Sequence, residues 1–175
     1  MNLTLSSTNS KYNFNVGGVV GFTADVADTV EGHFVNNTNN AAITVSTPDG
    51  GSLVSTFNMG GVLGYIGFVD TYIDGCHNTA NITVSDKTYV KSGVAIGGMI
   101  GKFTTASERK TFVGCSNSGN ITCGCKSENA QHLGGLMGYT SNGIVIVKDG
   151  FTNSGNITHR GSTNGADAIN VGGLF

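Results

Sequence analysis

The side chains here with chemistry to offer are four cysteines, four histidines, two nearby aspartates and a recurring Asn-x-Thr tripeptide. Cys123 and Cys125 form a Cys-x-Cys pair with His132 seven residues on, which invites a thiolate–imidazole metal reading. Zinc sites want two ligand pairs at suitable spacings, so one pair and a lone histidine match poorly. Core filling accounts for Cys123 better, because it stands where Val84 stands in another copy of the same phrase, and a free thiol packs as a small apolar group. Polysaccharide cleavage needs paired carboxylates or a cluster of acids and bases. Asp70 and Asp74 come nearest to such a pair, but no basic residue accompanies them, and they read as solvated loop residues. A Ser/His/Asp triad assembles in space rather than in sequence, and nothing in this chain points to one. The reading is a non-catalytic chain with no cofactor and no metal.

Asn-x-Ser/Thr occurs at Asn2, Asn36, Asn81, Asn120 and Asn156. In a eukaryotic secretory protein these would be glycan acceptors. Three of them, however, belong to one repeated phrase: "CHNTANIT" at 76–83, "CSNSGNIT" at 115–122 and "FTNSGNIT" at 151–158. Gly-Gly pairs begin at 17, 60, 97, 134 and 172, each inside a second phrase: "VGGVVGF", "MGGVLGY", "IGGMIGK", "LGGLMGY" and "VGGLF". Such regular recurrence marks an array of stacked units of about 38 residues. The histidines His33, His77, His132 and His159 fall at unrelated positions of that unit.

The elements that must position these residues are short strands. Each unit holds three strand-like runs: the glycine phrase, the run into the cysteine position ("TYIDGC", "KTFVGC"), and the Asn-Ile-Thr phrase extended by one or two residues ("NITVS", "NITCG"). Gly, Asn, Ser and Asp separate them, residues suited to tight turns. No window sustains a helical apolar period, and the glycines would cost a helix about 1 kcal/mol each. The expected fold is all-β: a parallel β-solenoid, right-handed by analogy with other solenoids, of about four turns with equivalent residues stacked about 4.8 Å apart. It is expected to be one domain over 1–175, with units at about 14–56, 57–93, 94–130 and 131–168, a partial unit at 169–175, and the character of a fragment of a longer array.

Stacking turns equivalent positions into columns. Ile43, Ile82, Ile121 and Ile157 are expected to form one, and Val35, Cys76, Cys115 and Phe151 a second. Asn37, Asn78, Asn117 and Asn153 are expected to form an asparagine ladder at a corner, whose amides bond to the coils above and below. Cys76 and Cys115 remain thiols on this reading, because stacked side chains keep their Cβ atoms about 4.8 Å apart and a disulfide prefers about 3.8 Å. Asn and Thr flank an inward Ile, so Asn81/Thr83, Asn120/Thr122 and Asn156/Thr158 are expected to point outward in two columns, a grid that could face a polysaccharide or ice. Within the glycine phrase, Val19, Val62, Met99 and Leu136 fall on a Gly-apolar-Gly face. That face is either an outward apolar contact stripe or, as preferred, covered by the unit's own loop, for example 66–72 or 102–111.

Composition excludes several classes. With 11% charged residues, formal net charge −2 and 38% hydrophobic residues, the chain is not of the disordered type. Glycine numbers 28 without a three-residue period, and Pro48 is the single proline, which excludes collagen. Nine Lys+Arg, with no basic cluster longer than Arg109-Lys110, argue against nucleic acid or an anionic membrane as partner. No apolar run approaches the roughly 20 residues that span a bilayer, and "MNLTLSSTNS" has no signal-peptide pattern.

The pairing of "hGGhhGY" with a downstream "C-x-N-x-G-N-[IV]-T" resembles the GLUG-motif repeats of bacterial secreted and surface-attached proteins. Residues 133–139 with 151–158 carry the best match, and 59–65 with 76–83 the next. The resemblance implies export to the cell surface or beyond, an extended β-solenoid, and a stalk-like or adhesive role. Its implied partners are further domains of a longer chain and a host or cell-surface glycan or protein. A bacterial origin would leave the Asn-x-Thr tripeptides unglycosylated.

Overall fold

The computed structural model describes residues 1–6, 9–23, 31–48, 52–67, 70–104, 109–141, 144–164 and 168–175. The described residues form strands and turns and no helix. Every strand pairing among them is parallel, and it joins an element to its own copy in the neighbouring coil. The fold is a parallel β-solenoid.

Four sheets run along the axis, one more than the three strand-like runs predict. Sheet I stacks Asn13–Gly17, Ser52–Gly60, Thr88–Gly97, Gln131–Gly134 and Ile169–Gly172, with the short Lys126–Ser127 and Ser162–Thr163. Sheet II stacks Val20–Phe22, Leu63–Ile66, Ile100–Thr104 and Met137–Ser141. Sheet III holds Gly32–Val35, Thr71–Asp74, Arg109–Asn117 and Ile144–Asn153, with Thr38–Asn39 and His77–Asn78. Sheet IV holds Asn2–Thr4, Ile43–Ser46, Ile82–Val84, Ile121–Cys123 and Ile157–His159. The extra sheet arises because the glycine phrase is two strands with a corner between them, not one.

Close packing explains that corner. A Cβ added to Gly98 would lie 2.1 Å from the Gly135 carbonyl oxygen and 2.3 Å from the Asn117 carboxamide carbon. Gly61 stands in the same relation to Gly98 and Asn78, and Gly135 to Gly173 and Asn153. The second glycine of each pair thus lets the backbone at the I–II corner touch an asparagine arriving from the III–IV corner. The interior is pinched there into two apolar compartments. One lies between sheets I and IV around Phe57, Met59, Ile82, Ile96 and Ile121. The other lies between sheets II and III around Leu63, Ile66, Phe103, Phe112 and Cys115.

The asparagines form the expected ladder, displaced in its first rung. Asn39 Nδ2 donates to Asn78 Oδ1 at 2.8 Å, Asn78 Nδ2 to Asn117 Oδ1 at 2.7 Å, and Asn117 Nδ2 to Asn153 Oδ1 at 2.7 Å. Each of the last three also donates to the carbonyl two residues on: Ala80 at 2.9 Å, Gly119 at 2.9 Å and Gly155 at 3.1 Å. The first rung is Asn39, not Asn37, because the turn from corner asparagine to stacked isoleucine has one length in every coil. Asn37 instead lies beside Cys76, donating to its sulfur at 3.8 Å, and Val35 pairs with Asp74 and is 49% exposed. The isoleucine column runs in register through Ile43, Ile82, Ile121 and Ile157. Cys115 pairs with Phe151 as expected, and both Cys76 and Cys115 are free thiols.

The apolar stripe on the glycine phrase is absent as a surface. Val62, Met99 and Leu136 are fully buried in the II–III compartment, because the corner turns them inward beside Leu63, Ile100 and Met137. Val19 alone is exposed, at 45%.

Replacing Asn117 by Ala removes one accepted and two donated buried hydrogen bonds, and each net bond is worth about 1 kcal/mol. Urea unfolding is expected to show a loss of about 3 kcal/mol for Asn117→Ala. Gly98→Ala, whose methyl group meets both backbone and carboxamide, is expected to lose at least as much.

Candidate functional site

The Asn-x-Thr residues gather on the outer face of sheet IV. Thr44, Thr83, Thr122 and Thr158 pair in one column, each beside its inward isoleucine. Asn81, Asn120 and Asn156 are exposed, but their oxygens are partly engaged: Asn81 Oδ1 accepts the Asn120 N–H and Asn120 Oδ1 the Asn156 N–H, each at 2.9 Å. The outward asparagines therefore tie successive coils together where the sheet IV strand begins. Their amide nitrogens and the threonine column remain to meet a partner.

The cysteine and histidine candidates do not converge. Cys123 and Cys125 are fully buried in the I–IV compartment, whereas His132 stands on the outer face of sheet I in the column of Asn58 and Ala95. Cys125 donates its S–H to Cys123, which holds the Cys123 thiol below its usual pKa and, together with burial, pushes Cys125 well above it. His159 stands next to Cys123 in its column and reaches Gln131, its Nε2 lying 3.0 Å from the Gln131 Oε1. Gln131 is fully buried and donates Nε2 to the carbonyls of Cys125 at 3.1 Å and Ser162 at 2.9 Å. These contacts make a satisfied polar patch in the core. Among the described residues no three His, Cys, Asp or Glu side chains are grouped to hold a metal ion. Asp70 accepts the Arg109 N–H at 2.8 Å and so caps the neighbouring coil.

A second feature lies on the outer faces of sheets I and II, where the glycine corner makes them meet at a re-entrant angle. A Cβ on Gly101 would lie 2.5 Å from the Met59 nitrogen, and one on Gly138 2.4 Å from the Ile96 nitrogen. Sheet II therefore abuts the backbone of sheet I directly. Beside this seam is a groove of about 340 Å³. Its floor is Gly93 and Ala95, small residues in one coil flanked by Thr56 and Asn58 in the coil before and Ala130 and His132 in the coil after. Lys102 and Tyr139, neighbours in one column of sheet II, form the other wall. The Lys102 ammonium sits 5.4 Å from the Tyr139 ring centre, within cation–π range, and the His132 ring centre is 4.8 Å from that of Tyr139.

The electrostatics of the groove stem from partial burial. Desolvation lowers the Lys102 pKa. Desolvation first, and the nearby Lys102 charge second, lower that of His132 below 6.5. The one ion pair among the described residues joins His33 to Glu31 at 3.0 Å, on another sheet, so Lys102 has no carboxylate within salt-bridge distance among them. His132 Nδ1 lies 3.3 Å from Asn170 Nδ2; with the amide donating, the ring proton sits on Nε2.

Sequence reasoning passes over Lys102, Tyr139, His132 and Asn58 as a group. The signal was present in the last letter of each glycine phrase, Phe22, Tyr65, Lys102 and Tyr139, which form one column of sheet II. What hides the group is that His132 and Asn58 lie on a different sheet, across a corner that the phrase does not announce. No family model, curated protein or solved structure matches the chain. No helix among the described residues is long and apolar enough to cross a membrane.

All four thiols are buried, so a thiol reagent is expected to label none in the native protein and all four in denaturant. His132 and His159 both have lowered pKa values in the folded state, so the unfolded chain binds protons more readily at these sites. Their contribution to stability is complete above pH 6.5 and is lost as pH falls through the lowered folded values, seen as a falling melting temperature. In Lys102→Gln the His132 midpoint, tracked by NMR, is expected to move up, because one of the two causes of its depression is gone.

Proposed function

We propose that the chain is a non-catalytic structural and adhesive repeat module of a bacterial cell-surface or secreted protein, of the GLUG-motif kind. It meets its partner through repeated contacts along the solenoid. The observation that supports this reading is the register: the same outward side-chain position recurs on successive coils, on a backbone whose hydrogen bonds are consumed coil to coil. Such a surface is rigid before it binds, so little ordering entropy opposes contact. Weak contacts repeated at one spacing reinforce each other as in multivalent binding. Its partners on this reading are further domains of the same chain and a glycan or protein of a host or cell surface.

A second reading has a specific observation behind it. The threonine column of sheet IV, with Asn81, Asn120 and Asn156 held at one coil spacing by their bonds to backbone amides, is a regular grid of polar groups. It would meet a carbohydrate or ice.

Two measurements separate these readings from each other and from a β-helix lyase or hydrolase. Incubated with acidic and neutral polysaccharides, the chain is expected to produce neither new reducing ends nor unsaturated products. Turnover abolished by Asp70→Asn would overturn the non-catalytic reading. The triple variant Thr83→Tyr, Thr122→Tyr, Thr158→Tyr should weaken glycan or ice binding by about tenfold or more if sheet IV is the contact face. Unchanged binding sinks that second reading.

A further inference from the structure

The sheet I–II groove carries a half-buried ammonium, an aromatic wall and neutral hydrogen-bonding groups, and these features together select a ligand. We propose that the groove binds an extended acidic glycan whose carboxylates are separated by neutral sugars, seating one carboxylate on Lys102 and a sugar ring beside Tyr139. This deepens the proposed function and rests on it, since it names the site and chemical class of one partner.

Charge is the first selector. Lys102 is half-buried with no carboxylate within salt-bridge distance among the described residues, and its ammonium rests on the Tyr139 ring. A partly desolvated cation gains most from a partner that brings a carboxylate into hydrogen-bond distance. His132 beside it, its pKa lowered, is neutral at pH 7 and offers an N–H rather than a second charge. Around them stand Asn58, Ser92 and Asn129, uncharged groups that suit hydroxyls and amides.

The number of charges then discriminates between polymers. The groove crosses three coils and holds one lysine. A nucleic acid brings a phosphate with every nucleotide and needs a cation for most of them, so one lysine is too few. A glycan with spaced carboxylates needs only occasional neutralisation. A peptide adding itself as a strand needs an open sheet edge. The groove instead offers sheet faces, whose backbone groups are already paired between coils. Room is also present: a Cβ on Gly93 would meet nothing closer than the Ala130 carbonyl oxygen at 3.7 Å.

The test is titration calorimetry of the whole chain with two probes: a hexasaccharide alternating glucuronate and N-acetylglucosamine, and the neutral N-acetylglucosamine hexamer. The acidic probe is expected to bind about tenfold more tightly, the difference a charge-assisted contact supplies. Lys102→Gln should bring the acidic probe down to the neutral level. Tyr139→Ala and Gly93→Gln, the latter projecting into open space, should weaken both probes. Circular dichroism establishes that each variant is folded. Unchanged acidic-probe affinity in folded Lys102→Gln would overturn the proposal. Loss of binding in Thr122→Tyr with retention in Lys102→Gln would also overturn it, while moving the contact to sheet IV within the same functional reading. Failure of wild-type protein to bind either probe would remove the glycan from this groove and leave the adhesive reading to its own tests.

Discussion

The contact on which the rest of this solenoid depends is that between a corner asparagine and the glycine facing it. Asn78, Asn117 and Asn153 come from the III–IV corner and place their carboxamides against Gly61, Gly98 and Gly135 at the I–II corner, where no Cβ would fit. The amides of Asn78 and Asn117 each bond in two directions, along the axis to the next asparagine and locally to a carbonyl two residues on. A buried carboxamide left half-bonded would cost free energy, and here both N–H groups have acceptors. The ladder therefore fixes register, closes the corner turn and divides the apolar interior in one stroke.

The surface is a consequence of that interior constraint. Because the glycine corner draws sheets I and II into a re-entrant angle, side chains that face away from the core at either side of it face each other instead. Lys102 and Tyr139 on sheet II thereby look across at Asn58, Ala95 and His132 on sheet I. The same geometry buries Val62, Met99 and Leu136, residues that strand alternation alone would have put outside. A flat sheet has no such device; the pinched cross-section makes both a second core and a groove.

Repetition and its interruptions play different parts. Where a column keeps one residue type, as with the isoleucines of sheet IV or the asparagine ladder, the role is structural and the energetic gain accumulates coil by coil. Where a column changes type, as in Asn15, Asn58, Ala95, His132 and Asn170 on sheet I, the surface becomes particular to its place. Ala95 between two larger neighbours makes the depression, and Lys102 between Tyr65 and Tyr139 supplies the charge beside it. A repeat protein of low overall charge can thus hold one electrostatically distinct spot without disturbing its scaffold.

The all-β solenoid, the coil length, the isoleucine column and the inward cysteines were legible in the sequence, because stacking makes the pattern of one coil recur in the next and recurrence is visible without coordinates. Even the first rung of the ladder was there to read, four residues before Ile43 at Asn39, as in the other coils. Only the tertiary structure decided that the glycine phrase breaks into two strands, that its apolar residue turns inward, and that Lys102, His132 and Tyr139 share a groove. Those outcomes turn on which backbone an absent side chain lets approach. A glycine in a sequence records that something can come close, but the folded chain alone determines what does.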